Sequence, residues 1–324
     1  MSRSRVAVLR GGPSDEYDVS LRTGGAVLES IDTDEFEPLD IVITRGGEWL
    51  HDGRTRYPEN IIPAVDVVFI ALHGAYGEDG TLQRLLDRFG VPYTGSGAYA
   101  SGIAMHKGFT KDHLKGTGVL LPQHYTIQHD DGISPHRHAG RIRERFGPEY
   151  VIKPISSGSS VGVSLVLDTL LLGEVIARAL TDAKELIVEE YIRGREVTCG
   201  VIERFRNHEL YALPAIEIIP PSHAGFFSKE VKYNGETKEV CPTSFSLSEK
   251  HAIEDASKRI HTELNLRQYS RSDFIHTPEG LYFLEVNTLP GLTRESLIPK
   301  ALAAVGSSHK EFVSHILRDA LVHC

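Results

Sequence analysis

The stretch Arg271-Ser-Asp-Phe-Ile-His-Thr-Pro-Glu-Gly-Leu-Tyr-Phe-Leu-Glu285-Val-Asn287 sets two short apolar runs either side of Thr277-Pro278-Glu279-Gly280. That tetrapeptide suits a type I turn followed by a glycine at positive φ, the common three-residue hairpin loop, so Thr277 is expected to pair with Leu281. Counting back, Asp273 falls opposite Glu285 and Arg271 opposite Asn287. Side chains alternate faces along a strand, so all four project from one side. Carboxylate and amide oxygens beside an arginine make a poor core and a good magnesium–phosphate site, because Mg²⁺ takes oxygen ligands and completes its octahedron with phosphate and water. The competing interpretation is the solvated face of an amphipathic hairpin. A two-residue turn would slip the register by one and separate the four groups.

The 324 residues around this hairpin suffice for two or three domains, and 40% hydrophobic content supports real cores. A formal net charge of -9, with no run of lysine and arginine, argues against nucleic acid as a partner. Cys199, Cys241 and Cys324 stand far apart with no C-x-x-C pair, which fits a reducing compartment and makes the cytoplasm the expected location. The apolar run at 6–9 is too short for a signal-peptide core. The greasy region at 170–180 is interrupted by Glu174 and Arg178 and falls short of the roughly 20 apolar residues of a membrane span. No membrane is expected.

From residue 5 to about 95, short apolar strands (6–9, 39–44, 67–72, 91–93) alternate with helical stretches (19–31, 80–89). This α/β pattern indicates an open parallel sheet, with ligands gathering at the carboxyl ends of its strands, where Gly11-Gly12-Pro13-Ser14 and His73-Gly74 fall. Residues 96–187 hold a long helical segment, 98–115, then strand-like 119–127 and 150–153, a smaller α+β unit. Residues 188–324 contain strands at 186–192, 196–203 and 210–219, mostly antiparallel. A polar stretch at about 220–246 follows, then a helix at 248–264, the hairpin and two closing helices. A loop of that length inside a compact domain is commonly a functional lid or a disordered segment.

Lys153-Pro-Ile-Ser-Ser-Gly158-Ser159-Ser160-Val161-Gly162 is a small-residue loop whose unhindered N–H groups could fold over a polyphosphate. It is not a P-loop, since the lysine precedes the loop and no helix opens after it, and an ordinary hairpin is the alternative. Gly11-Gly12 lacks the G-x-G-x-x-G spacing, which disfavours a Rossmann dinucleotide site. His124, His129, His136 and His138 raise a metal reading, but His-Arg-His in a polar, glycine-bearing stretch is expected to be solvated.

Six ordered motifs together resemble the ATP-grasp superfamily, and within it the D-alanine–D-alanine ligase family, over nearly the whole chain. They are Gly11-Gly-Pro-Ser-Asp-Glu16-Tyr-Asp-Val-Ser-Leu, Leu72-His73-Gly-Ala-Tyr-Gly-Glu-Asp-Gly80-Thr-Leu-Gln, Pro92-Tyr-Thr-Gly-Ser-Gly97, Gly158-Ser-Ser-Val-Gly162, Lys232-Tyr233, and Leu284-Glu-Val-Asn-Thr-Leu-Pro-Gly-Leu-Thr293 with Ser296-Leu297. The resemblance implies an N-terminal α/β substrate domain (1–95) followed by a two-part ATP-grasp fold (96–187 and 188–324) that grips ATP. It implies ligation of two D-alanines through an acyl phosphate for peptidoglycan synthesis, two Mg²⁺ ions with Mn²⁺ as a substitute, and a homodimer.

Carried over by motif position, Lys107, Lys153 and Ser160 would hold ATP phosphates, while Glu189, the backbone of Ile192 and Glu196 would read adenine and ribose. Asp273, Glu285 and Asn287 match the metal ligands that the hairpin register had already brought together. Glu16 matches the group that binds the first ammonium, tied to Ser159 and Tyr233, and His73 would lie near the same substrate. Lys232 would add charge over the γ-phosphate when the 220–246 lid closes. Arg271 and the Gly291 N–H match the oxyanion donors, and Ser296 with Leu297 would bind the second carboxylate at a helix start. Arg10 and Ser157 depart from the family pattern. Tyr233 favours an amine acceptor, with D-serine as the rival to D-alanine, and a non-catalytic ATP sensor is the rival of another class.

Overall fold

The computed structural model describes residues 3–156, 158, 161–221 and 237–323. The expectations for Ser159, Ser160, Lys232 and Tyr233, and the departure at Ser157, lie outside the described residues. So does the 222–236 part of the expected lid.

The first sheet is built on the run Val6-Ala-Val-Leu9, which is wholly buried, as a strand covered on both faces must be. Strand β1 (Ser4–Gly11) pairs in parallel with β2 (Phe36–Ile43) on one side and β5 (Val67–Ile70) on the other. Helix α1 (Tyr17–Ser30) packs against it. The parallel order was expected; two short strands, β3 (Trp49–His51) and β4 (Arg54–Arg56), extend the β2 edge antiparallel and make the sheet mixed. Arg10, the departing residue, forks the Asp40 carboxylate on β2 at 2.6 and 2.5 Å.

The expected single helix at 98–115 is two, α4 (Ala98–Met105) and α5 (Lys107–Leu114), broken at His106. The imidazole of His106 caps α5 by accepting from the Phe109 N–H at 3.1 Å, and the Lys107 N–H bonds the Ile155 carbonyl at 3.0 Å. These two bonds pin the helix start against the loop after Lys153. An antiparallel four-stranded sheet follows among the described residues, in the order β6 (His124–Gln128), β9 (Glu185–Glu190), β7 (Tyr150–Pro154), β8 (Ser164–Val166). His138 corrects an expectation. It lies on helix α6 (Pro135–Arg143), buried, with Nε2 3.1 Å from Asp131, and is not solvated.

The third sheet is antiparallel, running β13 (Lys238–Val240), β12 (Ile216–Ile219), β10 (Arg195–Glu203), β14 (Tyr269–Thr277), β15 (Gly280–Asn287). Its hairpin corrects the expected turn. Thr277 pairs with Gly280, a two-residue turn, and Phe274 pairs with Phe283. Left unbroken, that register would set Asp273 against Leu284. A β-bulge places one extra residue, Leu284, between Phe283 and Glu285, so Asp273 meets Glu285 and Arg271 meets Asn287 after all. Two one-residue errors, one at the turn and one in the strand, cancel.

Candidate active site

The hairpin face gathers what its register predicts. Arg271 donates twice to Asp273 at 2.9 and 2.8 Å, and the Asn287 amide donates to the same carboxylate at 3.2 Å. Thr198 on β10, directly across from Asp273, donates to Oδ1 at 2.5 Å. Lys107 Nζ stands 3.4 Å from Glu285 and is only 8% exposed, so it is not a solvated surface charge.

A cleft opens between the four-stranded sheet and the hairpin sheet. Val151, Val163, Ile192, Ile218, Ile275 and Leu284 form an apolar slot, with Lys107, Lys153, Glu189 and Glu196 at its polar edges. Glu189 is buried between two cations, 2.6 Å from Lys153 Nζ and 2.8 Å from Lys111 Nζ. Burial alone would push its carboxyl up, but Lys111 and Lys153 together hold it well below the usual carboxylate range. Of the two lysines, Lys153 lines the slot, while Lys111 lies behind Glu189, where burial lowers its affinity for a proton. Lys111, wholly buried, was not singled out from sequence; its spacing of four from Lys107 on one helix face was the available signal.

A second cavity of about 640 Å³ adjoins the first, and Lys107, Arg271, Glu285 and Leu297 line both. Its walls carry Glu16, His73, Gly158, Asn287, Gly291 and Ser296. Glu16 sits against Gly74 and Gly158: a Cβ on either glycine would fall 2.9 Å from Glu16 Oε2 and displace the carboxylate from its present position. Ser296 precedes helix α9 (Leu297–Ala304), and its hydroxyl lies 2.8 Å from that of Thr293. Glu78 also lines this cavity although it was not assigned a role. Burial, then repulsion from Glu16, pushes its carboxyl up to about 8. It lies inside the second motif, so the sequence marked its neighbourhood but not its part.

Of the expected site residues within the described set, the structure brings Lys107, Lys153, Glu189, Ile192, Glu196, Arg271, Asp273 and Glu285 to the first cavity. Glu16, His73, Asn287, Gly291, Ser296 and Leu297 line the second.

Two antiparallel sheets closing on a slot, with a carboxylate-bearing hairpin at its floor, define the ATP-grasp class of ligases. Residues 114–318 match the family profile described as D-ala D-ala ligase C-terminus, and residues 5–62 and 53–96 match that of the D-ala D-ala ligase N-terminus. The D-alanine–D-alanine ligase of Desulfotalea psychrophila is 37% identical over 98% of this chain and 95% of its own; that of Geobacter sulfurreducens is 35% identical over 99% and 95%. Among solved structures, the VanG D-Ala:D-Ser ligase of Enterococcus faecalis superposes with a TM-score of 0.84 at 30% identity, covering 98% of this chain and all of that one. The Bacillus anthracis D-alanine–D-alanine ligase complexed with ATP gives 0.80 at 29%, covering 98% and 97%. The chain belongs to the D-alanine–D-alanine ligase family.

Proposed function

We propose that this protein joins two D-alanines into D-alanyl-D-alanine at the expense of ATP, for peptidoglycan precursor synthesis. The observation that carries this is the meeting of two cavities at Arg271, Glu285 and Lys107, an apolar-walled slot with lysines at its edge on one side and a more polar chamber carrying Glu16 and Ser296 on the other. In the first step the carboxylate of the donor D-alanine takes the γ-phosphoryl group, releasing ADP and leaving an acyl phosphate. In the second, the amine of the other D-alanine attacks that carbonyl, loses its proton and expels phosphate. Such transfers are accelerated by positioning and charge neutralisation rather than by a protein nucleophile.

Lys107 and Lys153 are assigned to the phosphates, and Glu189, Ile192 and Glu196 to adenine and ribose. Glu16 is assigned to the donor ammonium, and Arg271 with the Gly291 N–H to the oxyanion of the second step. Ser296 and Leu297 are assigned to the acceptor carboxylate. Asp273, Glu285 and Asn287 suit Mg²⁺: they carry hard oxygens on one face, and the two carboxylates already face cations, Asp273 paired with Arg271 and Glu285 with Lys107. When bound, the metal would neutralise charge on the transferring phosphates. The three portions 1–95, 96–187 and 188–324 are proposed as domains, with β9 of the middle sheet running across the second boundary, the assembly as a homodimer, and the location as cytoplasmic. Among the described residues no helix is long and apolar enough to cross a membrane.

A coupled assay of ADP release with and without D-alanine tests the reading, with D-serine and D-lactate as alternative acceptors. D-alanine-dependent ADP and dipeptide are expected. ATP binding without turnover would favour a sensor, and preferential use of D-lactate at neutral pH would count against an amine acceptor.

A further inference from the structure

Leu289 lies two residues from Asn287 and two from Gly291, and both of its backbone groups are held by one loop of the N-terminal sheet. Its carbonyl accepts from His73 Nδ1 at 2.9 Å, and its N–H donates to Glu78 Oε1 at 3.2 Å. A carbonyl only accepts, so Nδ1 must carry the proton. The other ring nitrogen of His73 then faces the Thr23 hydroxyl at 2.8 Å, and its backbone is fixed on both sides, the N–H to Ser20 Oγ at 2.9 Å and the carbonyl to Ser14 Oγ at 2.7 Å. Glu78 is fixed in turn, its Oε2 accepting from the Gly74 N–H at 2.6 Å. The imidazole is 5% exposed, held between the Thr23 hydroxyl and the Leu289 carbonyl.

We infer that His73 and Glu78 are positioning residues, which clamp Leu289 from both sides and thereby aim the Gly291 N–H at the oxyanion of the amine-attack step. The N-terminal unit thus completes a donor that belongs to the C-terminal hairpin loop, although the two are about 216 residues apart in sequence. This deepens the ligase assignment and rests on it. The clamp bears on the tetrahedral intermediate, where the carbonyl oxygen gains charge, and not on phosphoryl transfer, which depends on the lysines and the hairpin acids. A histidine that instead bound D-alanine directly would show itself in KM.

The test compares His73→Leu, His73→Asn and Thr23→Val, the last a nearly isosteric change outside the cavity. Two readouts are taken: dipeptide formation, and scrambling of an oxygen label from the β,γ-bridge of ATP, which reports reversible acyl-phosphate formation. Loss of an aimed donor is expected to lower kcat for dipeptide in His73→Leu by about ten- to a hundred-fold, short of the several hundred-fold that outright removal of such a donor can cause. Scrambling and the donor KM should stay within about threefold. His73→Asn, whose amide can reach the Leu289 carbonyl, should recover most of the rate, and Thr23→Val should fall between. Equal losses in scrambling and dipeptide formation, a rise in donor KM with kcat unchanged, or Asn no better than Leu in folded protein would each overturn the clamp. Failure of the underlying ligase assignment looks different, because the unmodified protein would then neither scramble the label nor make dipeptide.

Discussion

The slot between the two sheets and the chamber beside it share a wall but are built by different means. The slot is made of side chains on strands and on helix α5, with charges paired in layers: Lys111, Glu189, Lys153, then Lys107 against Glu285, then Arg271 against Asp273. The chamber also uses backbone groups of the 288–296 loop, where Leu289 is held by His73 and Glu78 from a loop of the N-terminal unit. A site made of buried charge fails through electrostatics when one partner is lost. One made of backbone fails through geometry when a distant brace is lost.

The sharpest way to break this contrast is Lys111→Met. Removing one partner of a buried ion pair typically costs about 3–5 kcal/mol, and here it would leave Glu189 to cancel Lys153. A marked fall in urea-unfolding stability and about a tenfold rise in the KM for ATP are expected, the stability alone partly restored in Lys111→Met/Glu189→Gln. Single and double variants losing equally would show that the layered pairing is not what matters. Next in size, Asp273→Asn should cut turnover by about a hundredfold or more while ATP affinity, measured calorimetrically, changes far less, as expected of a group that acts in the transition state. Full activity in that variant would remove the metal assignment, and so would full activity after exhaustive chelation.

On the chamber side, Glu78 sharpens the contrast through pH. A carboxyl held at about 8 in the fold against 4.5 ordinarily binds its proton more tightly when folded, so it is harmless below pH 4.5 and destabilising as pH rises through 8. Glu78→Gln should therefore be more stable than the parent by about 2 kcal/mol at pH 9, once its weakened hydrogen bonds are set against the relieved charge. Its advantage should shrink towards pH 5, in melts run at both values, and its amide-forming step should be slower. The smallest effect is expected far from either site. Arg318 and Glu35 form an exposed pair joining helix α10 (His309–His323) to the N-terminal unit, and Arg318→Met should cost under about 1 kcal/mol.

Much of this was legible in the chain. The continuous apolar run at 6–9 marks a strand covered on both faces, and the alternation from Arg271 to Asn287 marks the acidic hairpin face. The hairpin also shows where legibility stops. The turn is one residue shorter than expected, and the bulge at Leu284 that offsets it has no glycine or proline to announce it. His106 breaks a helix that periodicity runs straight through, because its imidazole can cap the next turn only once Ile155 is in place to receive the Lys107 N–H. His138 resembles a solvated polar residue until Tyr125 and Asp131 enclose it.

Local pattern by itself determined the apolar core strand at 6–9, the choice of residue types on the hairpin, and the motifs that carry the family, because side-chain periodicity and ligand chemistry are properties of neighbours in sequence. Only the tertiary structure decided that Lys111 and Lys153 share Glu189, that a bulge restores the pairing of Asp273 with Glu285, and that His73 and Glu78 hold Leu289. Each of those brings together groups far apart in the chain or turns on a one-residue offset in backbone register, and both are fixed by packing between elements rather than by the elements themselves.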